Sequence, residues 1–182
     1  MTRRTLVLGG ARSGKSAHAE GLLPADEPVS YVATGRRDPD DPEWSARIAA
    51  HAERRPPVWH TLEASSPSEL PALLAAAAHG DEPLLVDDLA TWLTGVLDDV
   101  AAWDGDGEAL AAAREHCDVL LAAVAGCRAR LVLVSAEVGL GVVPPTRSGR
   151  LFRDSLGSLN ARLAEVCDEV LLLVAGIPLR LR

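Results

Sequence analysis

The chain has 182 residues, a formal net charge of −8 and a pI near 5.1. Hydrophobic residues make up 48% and charged residues 24%, the balance of a folded globular protein large enough for one sizeable core. An acidic surface repels phosphodiester backbones and anionic lipid, which argues against nucleic acid or a membrane as the main partner. No apolar run approaches the ~18 residues that would span a bilayer.

Met1-Thr2-Arg3-Arg4 leads at once into a short strand-like run, so no secretory signal is read and a cytoplasmic protein is expected. Cys117, Cys127 and Cys167 are odd in number and lack metal-ligand spacing, as expected of reduced thiols. Of the 18 basic residues only Lys15 is lysine. Arginine serves everywhere else, so this one position selects a compact ammonium on a flexible stem.

Short apolar runs alternate with longer helical patterns, which predicts βαβ units and a mostly parallel sheet. Thr5–Leu8 reads as the first strand and Lys15–Leu23 as a helix stopped by Pro24. Between them, Gly9-Gly10-Ala11-Arg12-Ser13-Gly14-Lys15-Ser16 fits the phosphate-binding pattern G-x-x-x-x-G-K-[ST] at every fixed position. Glycines let successive backbone N–H groups curl around phosphate oxygens. The following helix aims its N-terminal amides and dipole at the same anion. Lys15 would reach the β- and γ-phosphates of a nucleoside triphosphate, and the Ser16 hydroxyl would bind Mg²⁺.

Val29–Ala33 is the second expected strand. Asp38–Pro42 forms a loop, and a helix is expected from about Glu43 to Arg54. That helix places Trp44, Ile48 and His51 on one face, with Arg47, Arg54 and Arg55 nearby. Surrounding guanidinium groups disfavour the charged imidazole, and a neutral ring nitrogen is a nucleophile. The alternative is a surface histidine beside solvated arginines.

Val58–Glu63 reads as a third strand. Ser66-Pro67-Ser68-Glu69 has the form of a capping box opening a helix to about His79. Leu84–Asp87 is an apolar strand ending in acid, the form of a Walker B segment; Asp87 is the preferred metal carboxylate and Asp88 the outside candidate. The competing reading is that the two acids cap the next helix. A helix is expected from Glu108 to Arg128, a buried strand at Leu131–Ser135 and a Gly/Pro-rich loop at Glu137–Pro145. Helical spacing follows from Leu151 to Leu163, then a core strand at Val170–Val174 and an edge at Leu179–Leu181. Ala102–Gly107 reads as a surface loop. No linker divides the chain, so residues 1–182 are expected to form one domain.

Taken together, several stretches resemble the bifunctional adenosylcobinamide kinase / adenosylcobinamide-phosphate guanylyltransferase family of cobalamin biosynthesis. They are Gly9–Ser16, Tyr31–Thr34, Arg47–His51, Arg55-Pro56 with Trp59, Thr61 and Glu63, and Leu85–Asp87. They continue with Glu137-Val138-Gly139-Leu140-Gly141-Val142-Val143-Pro144, Phe152-Arg153-Asp154, Gly157, Asn160 and Arg162–Ala164. The resemblance implies an α/β P-loop NTPase of RecA-like type, with a mostly parallel sheet flanked by helices. It implies phosphorylation of the aminopropanol hydroxyl of adenosylcobinamide by ATP or GTP. GMP would then pass from GTP, through a covalent GMP–histidine, to give adenosylcobinamide-GDP. The guanylylated histidine of the family falls on His51. Thr34, Gly35, Arg36, Ala52, Glu53, Arg54, Arg55, Glu63 and Asp87 would line the nucleotide beside Gly9–Ser16, with Ser16 and Asp87 at the metal. A homotrimer is implied as well. A small-molecule kinase without the covalent step is the alternative, and a nucleotide switch the more distant one. Glu137, Arg153 and Asp154 stand in the family's motifs without an assigned role.

Overall fold

A computed structural model describes residues 4–36 and 55–182. The loop expected at Asp38–Pro42 and the helix expected at Glu43–Arg54 lie outside the described residues. The strands are β1 (Arg4–Gly9), β2 (Ser30–Ala33), β3 (His60–Glu63), β4 (Leu84–Asp87), β5 (Leu131–Ala136), β6 (Glu169–Val174) and β7 (Ile177–Arg180). The helices are α1 (Lys15–Gly21), α2 (Glu69–Ala76), α3 (Leu89–Asp99), α4 (Gly107–Gly126) and α5 (Arg147–Val166).

The strands form one sheet in the order β3-β2-β4-β5-β1-β6-β7. Every pair is parallel except β6 with β7, the edge hairpin. The central strands read as continuous apolar runs because both faces are covered. Alternate residues serve opposite faces. Leu6, Leu8, Val86, Leu131 and Leu133 join one core cluster with Leu93, Leu120 and Leu156 from the helices. Val7, Leu85, Val132, Val134 and Leu171 join the other with Ala19 of α1. Thus α1 lies on one face and α3 and α5 on the other.

One helix has no range among the sequence expectations, although the capping reading of the acid pair implies it. Leu89, Trp92, Leu93, Val96 and Leu97 of α3 are all buried. Their i, i+3, i+4, i+7, i+8 spacing is a helical stripe, overshadowed by the acid pair before it. The start of α2 shows half of the expected capping box. Glu69 accepts a hydrogen bond from the Ser66 amide at 2.9 Å, but the N-cap side chain makes no capping bond. Side chains cap two later helices, Asp106 for α4 and Thr146 for α5.

Candidate active site

In a parallel sheet the carboxyl ends of the strands collect the ligand-binding groups. Here β1 ends at Gly9, β4 at Asp87 and β5 at Ala136, with β5 between the other two. The segment Gly10–Gly14 forms the turn into α1. It is held on three sides, by Ser13 N to Gly10 O (3.3 Å), His18 N to Gly14 O (2.9 Å) and Gly176 N to Ser13 O (3.0 Å).

The turn requires particular residues. Gly14 has φ 87° and Arg12 φ 57°, a region where glycine carries no steric cost. A Cβ on Gly9 would collide with the Ser13 hydroxyl and lie 3.1 Å from the Leu173 carbonyl. Open space surrounds the Cα of Gly10, so its backbone is free to approach a ligand. Ser13 Oγ is buried without a hydrogen-bond partner, an orphan that a phosphate oxygen in the turn would satisfy. Lys15 opens α1, half-buried.

The two adjacent acids separate. Asp87 Oδ1 accepts from the Ser16 hydroxyl at 3.2 Å and Oδ2 from the Tyr31 hydroxyl at 2.9 Å. Asp88 turns the other way and accepts from the Thr91 amide at 2.8 Å, capping α3. The capping reading therefore holds for Asp88, while Asp87 is the acid that faces the phosphate turn. Burial, reinforced by Asp87, drives the Tyr31 phenol far above its ordinary titration range, so it remains a donor. The Arg55 guanidinium lies 3.5 Å from the centre of the Tyr31 ring and donates to Thr61 Oγ1 at 2.7 Å. The sequence marks Tyr31 as a strand residue and part of a family stretch, without a role at the site. Its place under Arg55 and beside Asp87 needs the parallel register of Tyr31 with Leu85 and Thr61.

The remaining expected nucleotide residues occupy other places. Thr34 is buried and its hydroxyl donates to the Asp88 carbonyl at 2.7 Å. Arg36 reaches toward α3, donating to the Ser65 carbonyl at 2.8 Å and to Asp99 at 2.6 Å. Both border a cavity of about 460 Å³ shared with Ser65, Thr91, Gly95 and Phe152. Gly35 joins them in the turn after β2, and Glu63 is exposed at the end of β3. His51, Ala52, Glu53 and Arg54 lie outside the described residues. Gly9–Ser16, Tyr31, Arg55 and Asp87 thus form one group, and Thr34 with Arg36 a second around the cavity.

The family model described as cobinamide kinase / cobinamide phosphate guanyltransferase matches residues 5–181. The chain belongs to this family. The chain is 40% identical over 183 residues to the bifunctional adenosylcobalamin biosynthesis protein CobU of Salmonella typhimurium, covering 97% of this chain and 98% of that protein. It is 43% identical to the bifunctional adenosylcobalamin biosynthesis protein CobP of Pseudomonas aeruginosa, over 98% of this chain and 97% of that one. Against the Escherichia coli K12 CobU the identity is 39%, over 97% and 98%. Among solved structures, the chain resembles an ATPase from the type III secretion system of pathogenic bacteria, with a TM-score of 0.54 at 10% identity. That match covers 94% of this chain and 51% of the ATPase chain, so the chain spans about half its length. At that identity the likeness concerns the fold, an α/β sheet of the P-loop type. Membership makes the chain an enzyme of the cobinamide kinase / guanylyltransferase class. Among the described residues no helix is long and apolar enough to cross a membrane.

Proposed function

We propose that the chain phosphorylates the aminopropanol hydroxyl of adenosylcobinamide with ATP or GTP and then transfers GMP from GTP to that phosphate, through a covalent GMP–His51, giving adenosylcobinamide-GDP. The observation that carries this is the pairing of the phosphate turn with a carboxylate, Ser16 Oγ to Asp87 Oδ1 at 3.2 Å, in a chain that the family model covers over residues 5–181.

The roles follow from charge and geometry. Amides of Gly10–Ser16 and the α1 dipole bind the phosphates. Lys15 neutralises charge on the transferring group without reorganisation at the moment of reaction. Ser16 and Asp87 would hold Mg²⁺, directly and through its water shell. Their oxygen donors suit a hard cation, and Tyr31 fixes the carboxylate from behind. When bound, that ion neutralises the β- and γ-phosphate oxygens. Arg55, anchored on Tyr31 and Thr61, brings a guanidinium to the same side for phosphate recognition. Thr34 and Arg36 border the neighbouring cavity; by resemblance to the family they, Gly35 and Glu63 would reach the nucleotide from there, with Ala52, Glu53 and Arg54 following the nucleophilic His51. A covalent intermediate divides one displacement into two and lets one site serve both donor and acceptor.

We also infer a single domain and a homo-oligomer, a trimer by resemblance to the family. Leu140 and Val142 are 81% and 95% exposed, an apolar display that supports self-association. Cys117, Cys127 and Cys167 are buried and form no disulfide, which accords with a cytoplasmic location. Mass spectrometry after exposure to GTP and Mg²⁺ tests the central claim. One GMP is expected on His51, and none in His51→Ala. Kinase turnover by wild-type protein that never acquires the adduct would leave a simple small-molecule kinase.

A further inference from the structure

We propose that Glu137 is the base of the kinase step, taking the proton from the acceptor hydroxyl as it attacks the γ-phosphorus. This rests on the bifunctional reading above. Glu137 lies one residue beyond β5, the strand between the β1 phosphate turn and the β4 carboxylate. The register pairs Ala136 with Gly9. The Glu137 amide continues that ladder, donating to the Gly9 carbonyl at 3.0 Å. The carboxylate is therefore carried at the level where the phosphate turn begins.

The end of β5 is locked from the other side. Buried Asn160 of α5 is bonded to the Ser135 hydroxyl at 2.7 Å and donates to the Ala136 carbonyl at 3.0 Å. The side chain is steadied too, since Glu137 Oε1 accepts from the Gly139 amide at 2.6 Å. A carboxylate has about four acceptor sites, so capacity for a substrate proton remains.

Side matters as well as height. Val132 and Val134 face α1, whereas Ser135 faces Asn160 of α5. Beyond Ala136, where β5 ends, the residues on either side of Glu137, Ala136 and Val138, both pack on the core cluster of the α5 face. The cavity bordered by Arg36 and Phe152 opens on the same face. Ser16 and Asp87 stand on the α1 side. An acceptor on the cavity side would meet the γ-phosphorus opposite the metal carboxylate, with Glu137 next to its hydroxyl.

The step balances as follows. The alcohol oxygen forms a bond to the γ-phosphorus while the bond from that phosphorus to the β–γ bridging oxygen breaks. The nucleoside diphosphate leaves with the bridging electron pair. The alcohol proton passes to Glu137 and then to water.

The two half-reactions differ in their need for this base. An alcohol must lose a proton to become a phosphate ester. A phosphate monoester, with a second pKa near 6, is already an anion at neutral pH, so GMP transfer to it requires no base. Glu137→Gln keeps the acceptor for the Gly139 amide and removes the basic oxygen. In that variant, kcat for phosphorylation of cobinamide by ATP is expected to fall by about 10²–10⁴-fold, with KM little changed. GMP transfer from GTP to separately prepared cobinamide phosphate is expected at the wild-type rate, which also certifies the fold. Unchanged phosphorylation, or an equal fall in both half-reactions, overturns the proposal. Wild-type protein that phosphorylates cobinamide but takes no GMP would instead sink the covalent reading; phosphorylation alone then decides Glu137, and a loss confined to KM overturns it.

Discussion

Ser16 and Asp87, 71 residues apart in sequence, meet through a 3.2 Å hydrogen bond where the phosphate turn faces the end of β4. Asp87 also accepts from Tyr31, so its carboxylate is oriented before any ligand arrives. Its neighbour Asp88 is committed to the Thr91 amide of α3. Adjacent residues of identical chemistry thus turn to different neighbours, one to the phosphate turn and one into a helix cap.

This division can be tested by substituting each acid in turn. Asp87→Asn removes the charge that would hold the metal and should raise the Mg²⁺ concentration for half-maximal activity by roughly 10–100-fold, with little change in melting temperature. Asp88→Ala removes an N-cap and should cost about 1 kcal/mol of stability with the metal requirement unchanged. Mg²⁺ titrations and thermal melts of both variants distinguish these outcomes, and the reverse pattern would exchange the two roles.

Lys15 stands at the N-terminus of α1 in a chain otherwise supplied with arginine. Lys15→Ala should cut phosphoryl transfer by at least about 10²-fold, the scale of losing one preorganised charge contact. Lys15→Arg should fail to restore it, because a planar fork cannot replace a point charge inside the turn. Steady-state kinase rates check both, and near-normal turnover in either variant would refute the assignment.

Asn160 is buried and joins Ser135 and Ala136 to α5. Asn160→Leu leaves the Ser135 hydroxyl and the Ala136 carbonyl without these partners. Each buried unsatisfied group costs about 1–3 kcal/mol, so a loss of roughly 2–6 kcal/mol is expected in urea unfolding. Phosphorylation should decline with it, because the end of β5 is no longer fixed.

Alkaline pH should weaken the fold through two thiols. Burial raises Cys117 to about 11 and Cys167 to about 12. An unfolded thiol ionises near 8.5, so above that pH the unfolded chain binds fewer protons than the folded one. Stability is complete below that point and falls as pH rises toward the folded values, by up to ~1.4 kcal/mol per pH unit for each thiol. Urea midpoints measured from pH 8 to 10.5 should fall, and the Cys117→Ala, Cys167→Ala double variant should show a shallower slope. An identical slope in that variant would place the alkaline effect elsewhere.

Much of the fold was legible because the determining physics is local. The turn Gly9–Ser16 needs glycines at fixed spacing, and the sheet needs short apolar runs between helical stripes. Every expected strand appears, with ends shifted by one or two residues, and β4 matches at both ends. The helix α3 escaped because its stripe follows directly on the acid pair, with neither glycine nor proline to mark a boundary.

By itself the sequence determined the P-loop, the parallel α/β class and the family, since backbone conformation and hydrophobic period are written in consecutive residues. Only the tertiary structure decided which acid faces Ser16, that Tyr31 lies under Arg55 and that Glu137 rises beside Gly9. Those relations join residues far apart in sequence. They depend on strand order and register, which the packing of two apolar faces fixes and which no short stretch of sequence encodes.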